Sequence, residues 1–165
     1  MTNKSGNIGT KTATWTCRAF NRLGFPHAER RDETQPDQGD IAGMIGVAVQ
    51  VKGGHAAEDA SLEQIRKWLG ATEDQRRAAR ADLGILICKR KAVGYANADQ
   101  WWCYFTEATY RRIIGLPVGG SDTIIMRVTL EDAAWLLRLG GWGEPLTLEE
   151  AGSTEVEFTE AGIAS

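Results

Sequence analysis

The sequence predicts one α/β domain, a central mixed β-sheet flanked by helices, and three features carry that reading. Segments of helical period alternate with short β-patterned segments through most of the chain. One short segment alternates cleanly between valine and other residues, whereas another is apolar throughout. The first suits a strand covered on one face, the second a strand buried on both. A chain of 165 residues, 42% hydrophobic and 25% charged, has apolar surface enough for one core.

Each element has its own local signal. A first helix is expected over residues 10–23, where Ala13, Cys17 and Phe20 recur at spacings of three and four beside Trp15 and Leu23. Gly24 follows its end and Pro26 blocks continuation. Residues 27–32 read as a strand and 33–39 as a polar loop of turn formers. Asp40-Ile41-Ala42-Gly43 opens a short strand that Met44-Ile45 turns back. Residues 46–52 follow, with Val47, Val49 and Val51 on one face, and Gly53-Gly54 end them. Ser61 and Gln64 have capping-box spacing ahead of Ile65, Trp68 and Leu69. That helix is expected to break near Gly70, before a strongly basic helical stretch over 73–81. Residues 83–88 form the wholly apolar strand, 101–105 another, and 106–114 a short helix. Residues 124–129 make the last strand, and Thr129 caps a helix to Leu139. The domain so defined spans residues 1–142, with 143–165 trailing as a flexible acidic tail.

The net charge of −3 and the isoelectric point of about 5.5 conceal a segregated distribution. No Lys or Arg follows Arg138, where six glutamates lie, so the remainder of the chain is net basic. Its cations cluster at Arg18/Arg22, Arg30/Arg31, Arg66/Lys67, Arg76/Arg77/Arg80 and Lys89/Arg90/Lys91. Nucleic-acid binding depends on local charge, so these runs are either a phosphate-binding surface or solvated faces. No apolar run approaches the ~20 residues that cross a bilayer, and no apolar signal segment follows Met1. A cytoplasmic location without a membrane partner is expected. Cys17, Cys88 and Cys103 form no CxxC pair and read as reduced core thiols.

Chemistry concentrates between residues 40 and 52. Gln50 and Lys52 lie two apart on a strand and share a face, opposite the three valines. A tight return would set Asp40 beside Gln50, grouping a carboxylate, an amide oxygen and an ammonium. The carboxylate and amide oxygen suit Mg²⁺, which keeps several of its waters. Lys52 suits the positioning of an attacking water and offsets charge on phosphate oxygens. The plainer alternative for this spacing is an exposed hairpin carrying ordinary polar residues.

The runs Gly24-Phe25-Pro26-His27-Ala28-Glu29-Arg30-Arg31, Gly39-Asp40-Ile41-Ala42-Gly43 and Val49-Gln50-Val51-Lys52-Gly53-Gly54 resemble the PD-(D/E)XK nuclease superfamily. The likeness is greatest to small phage and archaeal Holliday junction resolvases and RecB-like nucleases. Residues 81–90 and Trp101-Trp102 look like that group's later core strands, and Gln64 and Trp68 are similar in spacing to the RecB-type Q-x-x-x-Y element. The resemblance covers roughly residues 9–105. It implies a restriction-endonuclease-like core, Asp40 and Gln50 as metal ligands, and Lys52 assisting the attacking water. Two departures stand out: Gln50 replaces the usual Glu, and Ala13 lies where the family commonly has a first-helix Glu. Both weaken metal binding, favour Mn²⁺ or high Mg²⁺, and leave Glu29 or Asp37 to compensate; Glu29 and Gln64 are accessory candidates.

The expected function is therefore metal-dependent cleavage of branched DNA, foremost Holliday junction resolution by a homodimer in recombination or replication, with a phage protein in the host cytoplasm one setting. The alternatives are a RecB-like flap or single-strand nuclease and a catalytically weak DNA-binding module. Arg30, Arg31, Arg76, Arg77, Arg80, Lys89, Arg90 and Lys91 are the expected DNA contacts. His27 and His55 have no metal-ligand spacing, and the Gly-rich runs lack the Lys-Ser/Thr of a P-loop. Of Trp101 and Trp102, one is expected to face the core.

Overall fold

The valine alternation becomes strand β3 (Val47–Lys52), and the apolar run becomes β4 (Leu83–Cys88), buried at every residue. Around them the computed structural model, which describes residues 4–32, 34 and 37–152, places β1 (Glu29–Arg30), β2 (Ile41–Ala42), β5 (Trp102–Thr106) and β6 (Ile125–Thr129). The six strands lie side by side in chain order. β1, β2 and β3 form an antiparallel meander, and β4, β5 and β6 form a second. β3 and β4 run parallel, with Val47 opposite Leu83 and Lys52 opposite Cys88. A parallel join requires a long crossover. Helices α2 (Gly54–Glu58) and α3 (Leu62–Ala79) supply it.

Two cores form on the two faces. On one, Val47, Val49, Ile85, Ile87 and Cys103 pack with Cys17 and Phe20 of α1 (Lys4–Arg22) and with Leu130 and Leu137 of α5 (Leu130–Leu139). On the other, Leu86 and Cys88 lie beneath Ala57, Ile65 and Leu69. Helix α4 (Glu107–Ile113) links β5 to β6 and buries Ile113 in the first core. The result is the expected single α/β domain with a mixed sheet between helices. Trp101 is wholly buried just before β5 begins, and Trp102, the first residue of β5, is half-buried. All three cysteines are buried free thiols, and burial pushes Cys17 up to about 11 and Cys88 to about 12.

Several boundaries differ from the sequence expectation. α1 begins at Lys4 rather than residue 10, because residues 6–10 are exposed and carry no apolar period. α3 does not break at Gly70. That glycine is exposed, so it costs only about 1 kcal/mol of helix propensity. The apolar period falters beyond it because the next buried positions are Thr72 and Gln75. β1 and β2 shrink to two residues each.

Part of the acidic segment also returns to the domain. Arg138 donates two hydrogen bonds to the Glu150 carboxylate, 2.8 and 2.9 Å, and others to the carbonyls of Glu144 and Pro145. Glu150 stands in α6 (Leu148–Gly152), and the Arg138 guanidinium holds its carboxyl down at about 2. Residues 153–165, including the strand-like Glu155-Val156-Glu157-Phe158, lie outside the described residues. Among the described residues no helix is long and apolar enough to cross a membrane.

Candidate functional site

Asp40 is fixed at the head of β2 by backbone on both sides. Gly39, with φ +98°, brings the chain so close to β3 that a Cβ would stand 2.8 Å from the Val49 carbonyl oxygen. The Asp40 N–H donates to that same carbonyl at 2.7 Å, and the Arg31 N–H donates to the Asp40 carbonyl at 2.9 Å. The Val51 N–H then donates to Asp40 Oδ2 at 2.6 Å. Burial pushes the Asp40 carboxyl above its ordinary range, opposed by the Val51 N–H and by the charge of Lys52, and aided by the charge of Asp37. Asp40 borders a cavity of about 210 Å³ walled by Gly6, Gly9, Thr10 and Ala13 of α1 and by Arg30, Arg31 and Val51.

Gln50 and Lys52 emerge toward α3, as their spacing predicts. Gln50 is only 6% exposed and meets the Thr72 hydroxyl at 3.0 Å. That hydroxyl has one proton, and its 2.8 Å bond to the Trp68 carbonyl uses it. Both contacts are satisfied when the Gln50 amide is turned over, so that its N–H donates to Thr72 and its oxygen is released from the helix. The Lys52 ammonium lies 5.8 Å from the centre of the Trp68 ring. Its charge reaches Asp40 on one side and Cys88 on the other. Asp37, from the loop between β1 and β2, accepts a 2.7 Å hydrogen bond from the side chain of Gln75, one turn beyond Thr72.

The remaining candidates separate into two groups. Gln64 sits in the first turn of α3, where its N–H donates to the Ser61 cap. Glu29 lies on exposed β1, and its charge acts on Cys17. Neither makes a described contact with Asp40, Gln50 or Lys52. Of the expected DNA contacts, Arg76 pairs with Glu73, Arg77 with Asp74, Lys89 with Glu58 and Lys91 with Asp59. Arg80 caps α3 in the left-handed conformation, with φ 52°. Arg90 instead stacks on Trp102, its guanidinium carbon 4.1 Å from the ring centre, and Arg127 stacks there at 4.2 Å.

Sequence reading missed Thr72, Gln75 and Arg127. The signal for the first two was present: they are polar residues at the buried phase of an amphipathic helix. Arg127 sits alone on a strand and gave no signal.

Divalent cations of the Mg²⁺ type take oxygen ligands and keep much of their water. The donors here are of that chemical class: Asp40 has an oxygen not bound by Val51, and Gln50, on the neighbouring strand, carries an amide oxygen. Among the described residues no three His, Cys, Asp or Glu side chains converge, so a cation here would rest on mixed carboxylate, amide and water oxygens. No protein-family model, curated protein or solved structure matches the chain.

Proposed function

We propose that this chain is a metal-dependent DNA endonuclease that cleaves branched DNA, acting as a Holliday junction resolvase in the cytoplasm. The observation that carries the reading is the cleft that Asp40 shares with Arg30 and Arg31, bordered by Val51 of the strand that bears Gln50 and Lys52. The resemblance supports it further, because Ala13, at the family's first-helix Glu position, borders that same cleft.

In this reading Asp40 and Gln50 hold Mg²⁺, with Mn²⁺ as the substitute. When bound, the cation supplies polarisation of the phosphate and a more acidic water. Lys52 orients the attacking water and offsets charge growing on the non-bridging oxygens. Arg30 and Arg31 hold the phosphate backbone at the cleft. The Val51 N–H and the charge of Lys52 favour the ionised Asp40 carboxylate, against the cost of burial. Symmetric cutting of a four-way junction needs two such sites, which a two-fold homodimer provides.

A second reading is favoured by one observation: Gln50 is buried, uncharged and held by Thr72, which suits a DNA-binding module of weak catalysis. Incubation with a synthetic four-way junction, a 5′ flap, linear duplex and single strand, in Mg²⁺ and in Mn²⁺, separates the readings. Paired nicks at symmetric junction positions support the resolvase. Cutting of flaps or ends alone replaces it with a RecB-like nuclease, and binding without cleavage in either metal leaves the binding module.

A further inference from the structure

A cleft of about 610 Å³ opens at the end of β3 and β4 opposite Lys52. The β2–β3 turn lines it with Ile45, the segment 141–145 with Trp142 and Pro145, and the loop after α1 with Phe25 and Pro26. Ile45 is 92% exposed, a large apolar side chain left almost wholly to solvent. The Trp142 side is held firmly: Arg138 donates to the Glu144 and Pro145 carbonyls, and the Glu144 N–H donates to the Gly24 carbonyl at 2.8 Å. Asp82 joins the two sides. The Trp142 indole N–H donates to its Oδ2 at 3.3 Å, while Oδ1 accepts no hydrogen bond from a described residue. Gly46, with φ +79°, leaves room for this pair: a Cβ there would stand 2.8 Å from that oxygen and 2.9 Å from the indole nitrogen.

The charge of the cleft has one sign. Apart from His27, its ionisable lining groups are Asp82 and Glu144, both exposed carboxylates. Neither forms an ion pair among the described residues. Two cations approach from outside the lining. Arg138 is neutralised by Glu150, and Arg112 meets the backbone carbonyl of Asp82 rather than its carboxylate. The rings of Trp15, Trp68, Tyr95 and Trp102 each have a Lys or Arg of this chain over them, whereas Trp142 has none among the described residues.

We propose that this cleft binds an arginine-bearing, otherwise apolar segment of a partner polypeptide. Its guanidinium stacks on Trp142 and pairs with Asp82, and its apolar neighbours pack on Ile45, Pro26 and Pro145. A guanidinium suits both features at once, its plane matching the indole face and its N–H fork the carboxylate. Phosphate is repelled by the same two carboxylates, so the cleft lies outside any nucleic-acid surface and its reading does not depend on the nuclease proposal.

The test is titration of the full chain with acetyl-Leu-Arg-Leu-amide, read by NMR at the Trp142 indole N–H, which its loss in Trp142→Phe assigns. The signal should move and saturate. The citrulline counterpart, which keeps the shape without the charge, should bind about tenfold more weakly. Asp82→Asn, which can still accept from the indole, should weaken the arginine peptide by about the same factor. Ile45→Ser, which removes no core contact, should weaken it about threefold. Equal binding of the two peptides to the wild type overturns the proposal whatever the variants do, as does an indole signal that the arginine peptide leaves in place. Movement of that signal by four-way junction DNA would make the cleft a nucleic-acid surface and overturn it as well.

Discussion

Ala13 on the buried side of α1 and Asp40 at the head of β2 border one cavity of about 210 Å³. A carboxylate at position 13 would enter that space beside Asp40. Ala13→Glu should therefore cost stability in EDTA, where two like charges share a partly buried site, and regain it when Mn²⁺ is added. Mn²⁺ affinity should rise about tenfold, equivalent to about 1.4 kcal/mol. Melts with and without metal check this; an unchanged metal response would show that the new side chain points elsewhere.

Gln50 gives the complementary substitution. Gln50→Glu loses the N–H that satisfies Thr72 and buries a charge at a position only 6% exposed. The metal-free variant should melt lower than the wild type, because a buried carboxylate without a partner is costly. With Mg²⁺ the order should reverse, and junction cleavage should rise by about tenfold or more as the site gains a charged ligand. Single-turnover rates across a Mg²⁺ series measure it. Unchanged rates and an unchanged Mg²⁺ optimum would take Gln50 out of the site.

Asp40 is expected to trade stability for function. Burial raises its carboxyl in the folded chain above the ordinary value near 3.8, so the folded state binds that proton more tightly than the unfolded state. Its favourable contribution is complete below the unfolded value and is lost as pH rises through the raised folded value. At neutral pH the ionised group is therefore a cost. Asp40→Asn in EDTA should melt higher than the wild type at pH 7, and the difference should vanish below about pH 4. The same variant, and Lys52→Ala, should cut junction cleavage by at least about a hundredfold while leaving junction binding intact. A melt lower at pH 7 than at acid pH by the same margin in both proteins would contradict the assignment.

The strands and helices were legible because their signals are local: the valines of β3, the apolar run of β4 and the Thr129 cap all rest on neighbouring residues. The site was legible only in part. Gln50 and Lys52 follow from strand periodicity, and Asp40 from the hairpin. The Asp37–Gln75 bond spans 38 residues and depends on how a loop folds over a helix, which no period encodes. Thr72 and Gln75 disguised themselves as a break in α3, since polar residues at buried positions look like the end of an apolar stripe. Charge runs do not reveal how their cations are paired. Arg76, Arg77, Lys89 and Lys91 stand in conspicuous clusters, yet each is already paired with a carboxylate.

Under the proposed function, the Trp102 stack is a further place to expect phosphate contact, because it carries two arginines. Cys88 and Thr129 flank Trp102 in register, so Arg90, two residues beyond Cys88, and Arg127, diagonal to Trp102 across β5–β6, reach the ring from either side. Their guanidinium carbons stand 4.1 and 4.2 Å from its centre. Tyr104 stands opposite Arg127 in register. Neither arginine has a carboxylate partner among the described residues. Two cations braced on one indole repel each other, and phosphates relieve that repulsion. Arg90→Ala and Arg127→Ala should each lower the slope of log affinity against log salt by about 1. Arg76→Ala, which removes a cation already neutralised by Glu73, should leave the slope unchanged. Filter binding of a four-way junction across a salt series measures all three. An unaltered slope in the Arg90→Ala/Arg127→Ala double variant would remove the stack from the interface and return the phosphate track to α3.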